Sequence, residues 1–211
     1  MAKAKQSSQK KSVYDVHPGV AMVQKWIADL RPKTGRSLEE WIVLVKNEGP
    51  PTEKERKAWL KQEYGLGTNS AGWIAERAAG KGYEDDDPDT YLQTAEQYVE
   101  AMFSGAKAEL KPIYDALLKL GKGLAKDVKV SPAKTIVPFY RKHVFAQIKP
   151  STRTRIDFGF ALKDTALQGR LIDTGGMAKG DRITHRIEIT SLADIDDEVK
   201  HWLQVAYDMD A

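Results

Sequence analysis

The sequence contains no cysteine, and this absence excludes several kinds of chemistry. Without a thiol the chain can form no disulfide bond, no thiolate nucleophile and no zinc–thiolate site. Only four histidines are present, so ligands for a transition metal are scarce as well. We therefore expect no metal site and no cofactor, and the lack of thiols fits a reducing, cytoplasmic location.

Long apolar runs are also missing. The longest, Trp41 to Val45, is far shorter than the ~20 residues that a membrane-spanning helix needs. Residues 1–12 are polar and lysine-bearing with no apolar stretch after them, so a secretory signal is not expected. Hydrophobic residues make up 41% of the chain and charged residues 30%, which is typical of an ordinary globular protein. These features predict a soluble protein that does not engage a membrane.

Catalytic and phosphate-binding motifs are scarce too. The Gly80-Lys81 and Gly121-Lys122-Gly123 stretches lack the glycine spacing of a P-loop and fit turns or helix ends instead. Four acidic residues of segment 85–96 have the spacing of calcium-loop ligands, but Thr90 stands where the loop requires glycine. No serine or threonine lies in a nucleophile elbow. We assign no catalytic residue, and the sequence leans away from an enzyme.

The net charge of +3 is too small to indicate nucleic acid by itself, so its distribution matters more. Residues 127–190 hold 12 lysines and arginines against 6 acidic residues, whereas residues 191–211 hold 1 against 6. A basic sheet face would suit an anionic partner. Alternatively, these charges are compensated by the acidic last helix of the same chain.

Apolar residues at spacings of three and four predict a helical module over residues 14–80, after a disordered tail over residues 1–13. Ser37 with Glu40, and Thr52 with Glu55, are capping boxes that open two of its four short helices. The acidic, glycine-bearing residues 81–88 are the linker candidate.

Residues 89–211 are predicted to form an α+β domain. Two amphipathic helices come first, and near residue 127 the apolar period changes from about 3.6 to 2, which indicates strands. A final amphipathic helix follows residue 191. The fold class is therefore α+β: a small helical bundle followed by a two-layer domain whose antiparallel sheet is covered by helices.

Two stretches resemble known bacterial families. GRSLEEWIVLVKNEG followed by TEKERKAWLKQEYGLGTNSAGWIAER resembles the domain-of-unknown-function family numbered 4287. MFSGAKAELKPIYDALLKL followed by VKVSPAKTIVPFYRKHVFAQIKPSTRTRIDFGFAL resembles the family numbered 5655. The resemblance implies a bacterial cytoplasmic protein with this two-part layout, and it implies no activity. Domains similar to the second are sometimes joined to nuclease-like domains, which is a hint of nucleic acid.

The remaining candidate site is the basic, partly aromatic sheet region, which resembles surfaces that bind single-stranded nucleic acid. Its eight candidate anion-binding residues are Lys134, Tyr140, Arg141, Lys149, Arg153, Arg155, Arg182 and Arg186. The leading hypothesis is a non-enzymatic binding or adaptor protein whose basic sheet face takes an anionic ligand, either nucleic acid or a small molecule. One alternative is an enzyme on small anions that uses Lys134, Tyr140, Arg141 and His185. Another is an interaction protein that binds a protein partner or forms a homodimer through a strand edge.

Overall fold

The computed structural model describes residues 12–211, which form two compact units. Residues 17–91 make up the helical unit, and residues 12–16 together with 92–211 make up the α+β unit. The predicted α+β fold class is confirmed. The disordered tail expected over residues 1–13 falls, up to residue 11, outside the described residues.

Four α-helices account for most of the helical unit: α1 (Pro18–Thr34), α2 (Leu38–Glu48), α3 (Glu53–Tyr64) and α4 (Thr68–Ala78). The capping boxes predicted at Ser37 and Thr52 are confirmed, with Glu40 and Glu55 as their partners. Each box gives partners to N–H groups that the first turn of a helix leaves unsatisfied. The apolar stripes of the helices meet in one core that includes Leu30, Trp41, Val45, Leu60, Ile74 and Ala75.

The helical unit buries one cation, Arg77 of α4, whose exposed fraction is 1%. Its Nη2 donates to Asp86 Oδ1 at 2.8 Å, and its Nη1 donates to the backbone oxygen of Lys81 at 3.3 Å. Gly82 adopts a φ of 77°, and a Cβ atom at this position would overlap Arg77 Nη1. Arg77 thereby fixes the segment 81–86 against α4.

The α+β unit contains one antiparallel sheet with the strand order β1-β2-β3-β4-β6-β5. The strands are β1 (Lys129–Val130), β2 (Val137–Tyr140), β3 (Val144–Pro150), β4 (Ile156–Phe160), β5 (Ile172–Asp173) and β6 (His185–Ile189). The helices are α5 (Pro88–Met102), whose first four residues are counted in the helical unit, α6 (Lys111–Leu124), the single turn α7 (Gly176–Lys179) and α8 (Asp197–Asp208). The short strand β5 forms one edge of the sheet and pairs with β6.

Helices α6 and α8 pack on one face of the sheet, and their close fit depends on Gly121 of α6. A Cβ atom at Gly121 would lie 2.6 Å from Phe139 Cδ1 and 2.8 Å from Cζ. The sequence predicted that Gly121 ends this helix, but α6 continues to Leu124. The glycine is therefore a contact point between helix and sheet. The core beneath includes Leu117, Phe139, Phe145, Ile148, Phe158, Ile187 and Leu203.

Residues 12–16 precede the helical unit in the sequence but belong to the α+β unit. The backbone nitrogen of Asp15 donates to Val130 O at 2.8 Å, and Val130 N donates to Asp15 Oδ2 at 2.9 Å. The hydroxyl groups of Tyr14 and Tyr114 share a hydrogen bond of 2.8 Å. The short strand β1 therefore gains a partner segment on its outer side.

The opposite face of the sheet carries polar and small side chains. Strand pairing aligns Gln147, Gly159 and Arg186 in one row across β3, β4 and β6. The neighbouring row consists of Lys149, Asp157 and Glu188. Because side chains alternate between the faces of a strand, both rows point away from the helices. We call this the open face.

Candidate functional site

A groove of about 540 Å³ lies on the open face of the sheet. Its sheet side is formed by the two polar rows without Glu188, and its other side by the segment from Asp173 to Ile183 that contains α7. Gly175 and Gly180 flank α7 with φ values of 68° and 69°, which are accessible to glycine at little cost. The short helix is thus held as one wall of the groove.

The floor of the groove is set by Gly159 of β4. A Cβ atom there would lie 2.6 Å from Ile183 Cγ2 and 3.2 Å from Gln147 Cγ. A glycine inside a strand marks a place where other atoms approach the backbone closely. Here it allows Ile183 to pack down on the sheet between the polar side chains.

An ion-pair network crosses the open face next to the groove. Arg186 Nη1 donates to Asp157 Oδ1 at 2.9 Å and to Glu188 Oε1 at 2.7 Å. Arg155 Nε lies 3.0 Å from Asp157 Oδ1, and Arg155 Nη1 lies 2.9 Å from Glu188 Oε1. Ser151 Oγ donates to the second carboxylate oxygen of Asp157 at 2.6 Å. Two arginines and two carboxylates therefore neutralise one another here.

Two lysines line the groove outside this network. Lys149 lies on β3 and Lys179 ends α7, and both side chains are exposed. Within residues 12–211, neither ammonium group forms an ion pair or a hydrogen bond. The positive charge that remains available to a ligand in the groove comes from these two residues.

Arg141 and Arg182 are bound to acidic residues at another end of the unit. Arg141 Nε lies 3.2 Å from Asp127 Oδ2, and its guanidinium carbon stacks 4.3 Å from the ring centre of Tyr207. Arg182 Nη2 donates to Asp210 Oδ1 at 3.0 Å beside a small cavity of about 120 Å³. Neither arginine lines the groove.

Asp210 is a buried acid with an exposed fraction of 6%. Its Oδ2 accepts from the backbone nitrogens of Lys142 and His143 at 3.0 and 2.7 Å, and its Oδ1 lies 2.9 Å from His143 Nδ1. Burial by itself raises the pKa of Asp210. The hydrogen bonds from His143 and the charges of His143 and Arg182 outweigh burial, so the pKa of Asp210 is below its ordinary value.

The other three candidate residues also lie away from the groove lining. Lys134 is exposed in the loop before β2, and Arg153 is exposed in the turn between β3 and β4. Tyr140 ends β2 and is half-buried, and this burial raises the pKa of its phenol. Of the eight candidates, the structure brings Lys149 and Arg186 together in the groove, with Arg155 joined to them through the ion-pair network.

The four residues of the enzyme alternative are spread over the unit. Lys134 precedes β2 and Tyr140 ends it, so these two lie at opposite ends of one strand. His185 is buried, and its ring nitrogens bond Thr184 Oγ1 at 2.8 Å and the backbone oxygen of Thr165 at 2.9 Å. This imidazole is enclosed by its own unit.

Sequence reasoning did not identify Lys179, Gln147 or Gly159 as groove residues. A glycine in the alternating pattern of β4 was the available indication, since such a glycine marks close backbone approach. Lys179 could not be found in this way, because it comes from a loop whose path over the sheet has no periodic pattern.

Metal and membrane features can be stated for the described part of the chain. Among residues 12–211, no group of three or more histidine and acidic side chains is arranged to hold a metal ion. In the same residues, none of the helices has both the length and the apolar character required to cross a bilayer.

The chain matches the sequence models of two protein families, and neither family has an assigned function. Residues 99–210 match the domain of unknown function DUF5655, and residues 22–79 match the domain of unknown function DUF4287. Because the first match spans more than half of the chain, the protein belongs to the DUF5655 family. The resemblances predicted from the sequence are confirmed. No curated protein and no solved structure gives a significant match.

Proposed function

We propose that the α+β unit binds a small anionic ligand in the groove on the open face of its sheet. The observation that carries this proposal is the pair of ammonium groups of Lys149 and Lys179, which line the groove and have no ionic partner among the described residues. A volume of about 540 Å³ suits a small molecule. Lys149 and Arg186 lie on strands that are both paired with β4, so the ligand meets charges presented by a continuous sheet.

The acidic residues near the groove favour a compact ligand over a polymer. Asp157, Asp173 and Asp181 line it together with the cations. A nucleic-acid backbone lying along this face would bring its phosphates close to these carboxylates, and like charges repel. A small anion can contact the lysines and avoid the carboxylates. A ligand that also carries hydrogen-bond donors would use the carboxylates as acceptors.

Calorimetric titration of the full chain tests this proposal with phosphate, pyrophosphate and citrate as probes. The decisive variant is Lys149→Gln/Lys179→Gln, and the matched control is Lys129→Gln, which removes an exposed lysine from the same sheet outside the groove. Hydrogen bonds to charged groups contribute about 1.5–3 kcal/mol each, so the double variant should weaken binding at least about tenfold. The control should bind as the parent chain does.

Three outcomes would count against the proposal. One is that no probe binds, and another is that the double variant binds as tightly as its control. The third is that a short oligothymidylate binds more tightly than every small anion, with an affinity that falls steeply with salt. That result would support the nucleic-acid hypothesis for the sheet face instead.

A further inference from the structure

We propose that the helical unit carries a ligand site of its own, in a cavity bordered by α1, α2 and the turn between α3 and α4. The ligand is a small molecule that joins an anionic group to a flat ring, as a mononucleotide does. All residues of this site belong to the helical unit, so the proposal is independent of the sheet groove.

The cavity has a volume of about 480 Å³, which is in the range of small-molecule sites. Aromatic residues Trp26, Trp41 and Tyr64 line it together with the hydroxyl-bearing Ser70. The charged residues among its described lining are Lys33 and Arg36, and none of that lining is acidic. The balance of charge therefore differs from that of the sheet groove, where carboxylates accompany the cations.

Arg36 is the residue on which the proposal depends. Its guanidinium carbon lies 4.9 Å from the ring centre of Trp41 and 5.6 Å from that of Tyr64. Among residues 12–211, no carboxylate or carbonyl group accepts a hydrogen bond from this half-buried guanidinium. The two rings position the group and leave its N–H donors available. A guanidinium in this state is suited to bidentate binding of a phosphate or carboxylate.

Lys33 adds less to the positive electrostatic potential in the cavity than a free lysine would. Its ammonium group lies 2.9 Å from Asp29 Oδ2 on the same helix, so much of its charge is compensated. The contrast strengthens the role of Arg36, which has no such partner among the described residues. We expect the anionic group of the ligand to be bound at Arg36.

The aromatic lining is held in fixed orientations, which favours recognition of a ring. Trp26 Nε1 donates to Ser70 Oγ at 2.9 Å, and the Trp26 ring packs edge-on against Trp73 with a centre-to-centre distance of 4.8 Å. Tyr64 packs edge-on between Trp41 and Trp59, with both ring centres 5.1 Å away. Rigid aromatic side chains gain contact area with a flat ligand at little entropic cost.

The five tryptophans of the chain provide a direct readout for this site. In a proton–nitrogen NMR spectrum each indole N–H gives one signal. Trp26 and Trp41 line the cavity, whereas Trp202 lies on α8 in the α+β unit and serves as an internal reference. The probes are AMP, adenosine, which lacks the anion, and ribose 5-phosphate, which lacks the ring.

AMP should shift the indole signals of Trp26 and Trp41 and leave that of Trp202 in place. Adenosine and ribose 5-phosphate should each bind about tenfold or more weakly than AMP, because each lacks one of the two recognised groups. Arg36→Gln should weaken AMP binding by about tenfold or more. Arg36→Lys should also lose most of the affinity, because an ammonium group cannot reproduce the planar stack and the paired donors.

The matched control is Arg31→Gln. Arg31 lies on α1 within the same unit, is exposed, pairs with Glu40 and does not line the cavity. Its removal should change AMP affinity less than about twofold. Circular dichroism of each variant establishes that it is folded.

The proposal is overturned if AMP at several millimolar leaves the Trp26 and Trp41 signals unmoved. Equal AMP affinity of folded Arg36→Gln and Arg31→Gln would also overturn it. A short oligoadenylate that binds here more tightly than AMP would show that the ligand is a polynucleotide and would contradict a small-molecule site.

Discussion

The two units use their charges in different ways. On the open face of the α+β unit, Arg155 and Arg186 are held by Asp157 and Glu188, so most of the positive charge is already compensated. In the helical unit, Arg36 is held by aromatic rings and has no carboxylate partner among the described residues. The comparison teaches that the number of basic residues in a segment does not measure the charge that a ligand can use.

A second contrast concerns the charges that each unit buries. The helical unit buries the cation Arg77, and the α+β unit buries the anion Asp210. Each is held by a different kind of partner. Arg77 depends on one carboxylate and a backbone oxygen, whereas Asp210 accepts from two backbone nitrogens and two side chains. The following predictions test these contrasts, beginning with the largest expected effect.

The buried cation should be the more costly of the two to remove. Arg77→Leu breaks the pair with Asp86 and removes the group that fixes residues 81–86, so we expect a loss of about 3 kcal/mol in the free energy of unfolding. Arg31→Leu, which breaks an exposed pair, should cost less than about 1 kcal/mol. Urea denaturation followed by circular dichroism measures both. Equal losses would mean that the burial of Arg77 contributes nothing.

Packing of helix on sheet should be sensitive to a single methyl group in α6. Gly121→Ala places a Cβ atom in the ring of Phe139, and overpacking of this kind costs about 1–3 kcal/mol. Gly123→Ala on the same helix meets no atom within 4 Å and should stabilise the protein by up to about 1 kcal/mol through helix propensity. Thermal unfolding measures the two shifts. The same sign for both variants would contradict the proposed role of Gly121.

The buried anion should make stability depend on pH in the acid range. Because the pKa of Asp210 is lower in the folded state, its contribution is fully present above the unfolded value of about 4. That contribution is lost as the pH falls through the lower, folded value. Asp210→Asn should therefore cost about 2 kcal/mol near neutral pH and less at acidic pH.

The control for this prediction is Asp208→Asn at the end of α8, two residues before Asp210, where the exposed carboxylate accepts only from Gln204 among the described residues. Urea denaturation at a series of pH values gives the free energy of unfolding as a function of pH. The curves of this control and of the parent chain should be parallel. Asp210→Asn should give a flatter curve. A parallel curve for Asp210→Asn would contradict the linkage.

The smallest effect is expected for the lysines of the groove. Lys149→Gln and Lys179→Gln should each change the free energy of unfolding by less than about 0.5 kcal/mol, because neither ammonium group has a partner in the described chain. Urea denaturation provides the value. A clear loss of stability would mean that these lysines are engaged within the fold, and they would then be poor candidates for ligand binding.

Much of the fold follows from local patterns in the sequence. The change of apolar period near residue 127 locates the start of the sheet, and the capping boxes at Ser37 and Thr52 locate two helix starts. These features depend on neighbouring residues, so they can be read without knowledge of the tertiary structure. The two families were also recognised from local motifs.

The candidate sites follow much less directly, because they depend on register and packing. Lys149, Asp157 and Glu188 become neighbours only through the alignment of three strands. The ion pairs that compensate Arg155 and Arg186 could therefore not be derived from charge counts. The spacing of tryptophans along helices points to core packing and does not indicate a cavity. Trp41 is indeed buried, but Trp26 and Trp41 also line the cavity beside Arg36, which only the tertiary structure reveals.

The pairing of residues 12–16 with β1 has a consequence for folding during synthesis. Tyr14 and Asp15 leave the ribosome well before Tyr114 and Val130, with which they pair in the α+β unit. The whole helical unit is translated in between, so it can complete its own core first. The early segment must wait for its partners, and its pairing with β1 closes a long loop at an entropic cost. Folding during synthesis should therefore begin in the helical unit, and residues 12–16 should join the sheet edge only after β1 has been made.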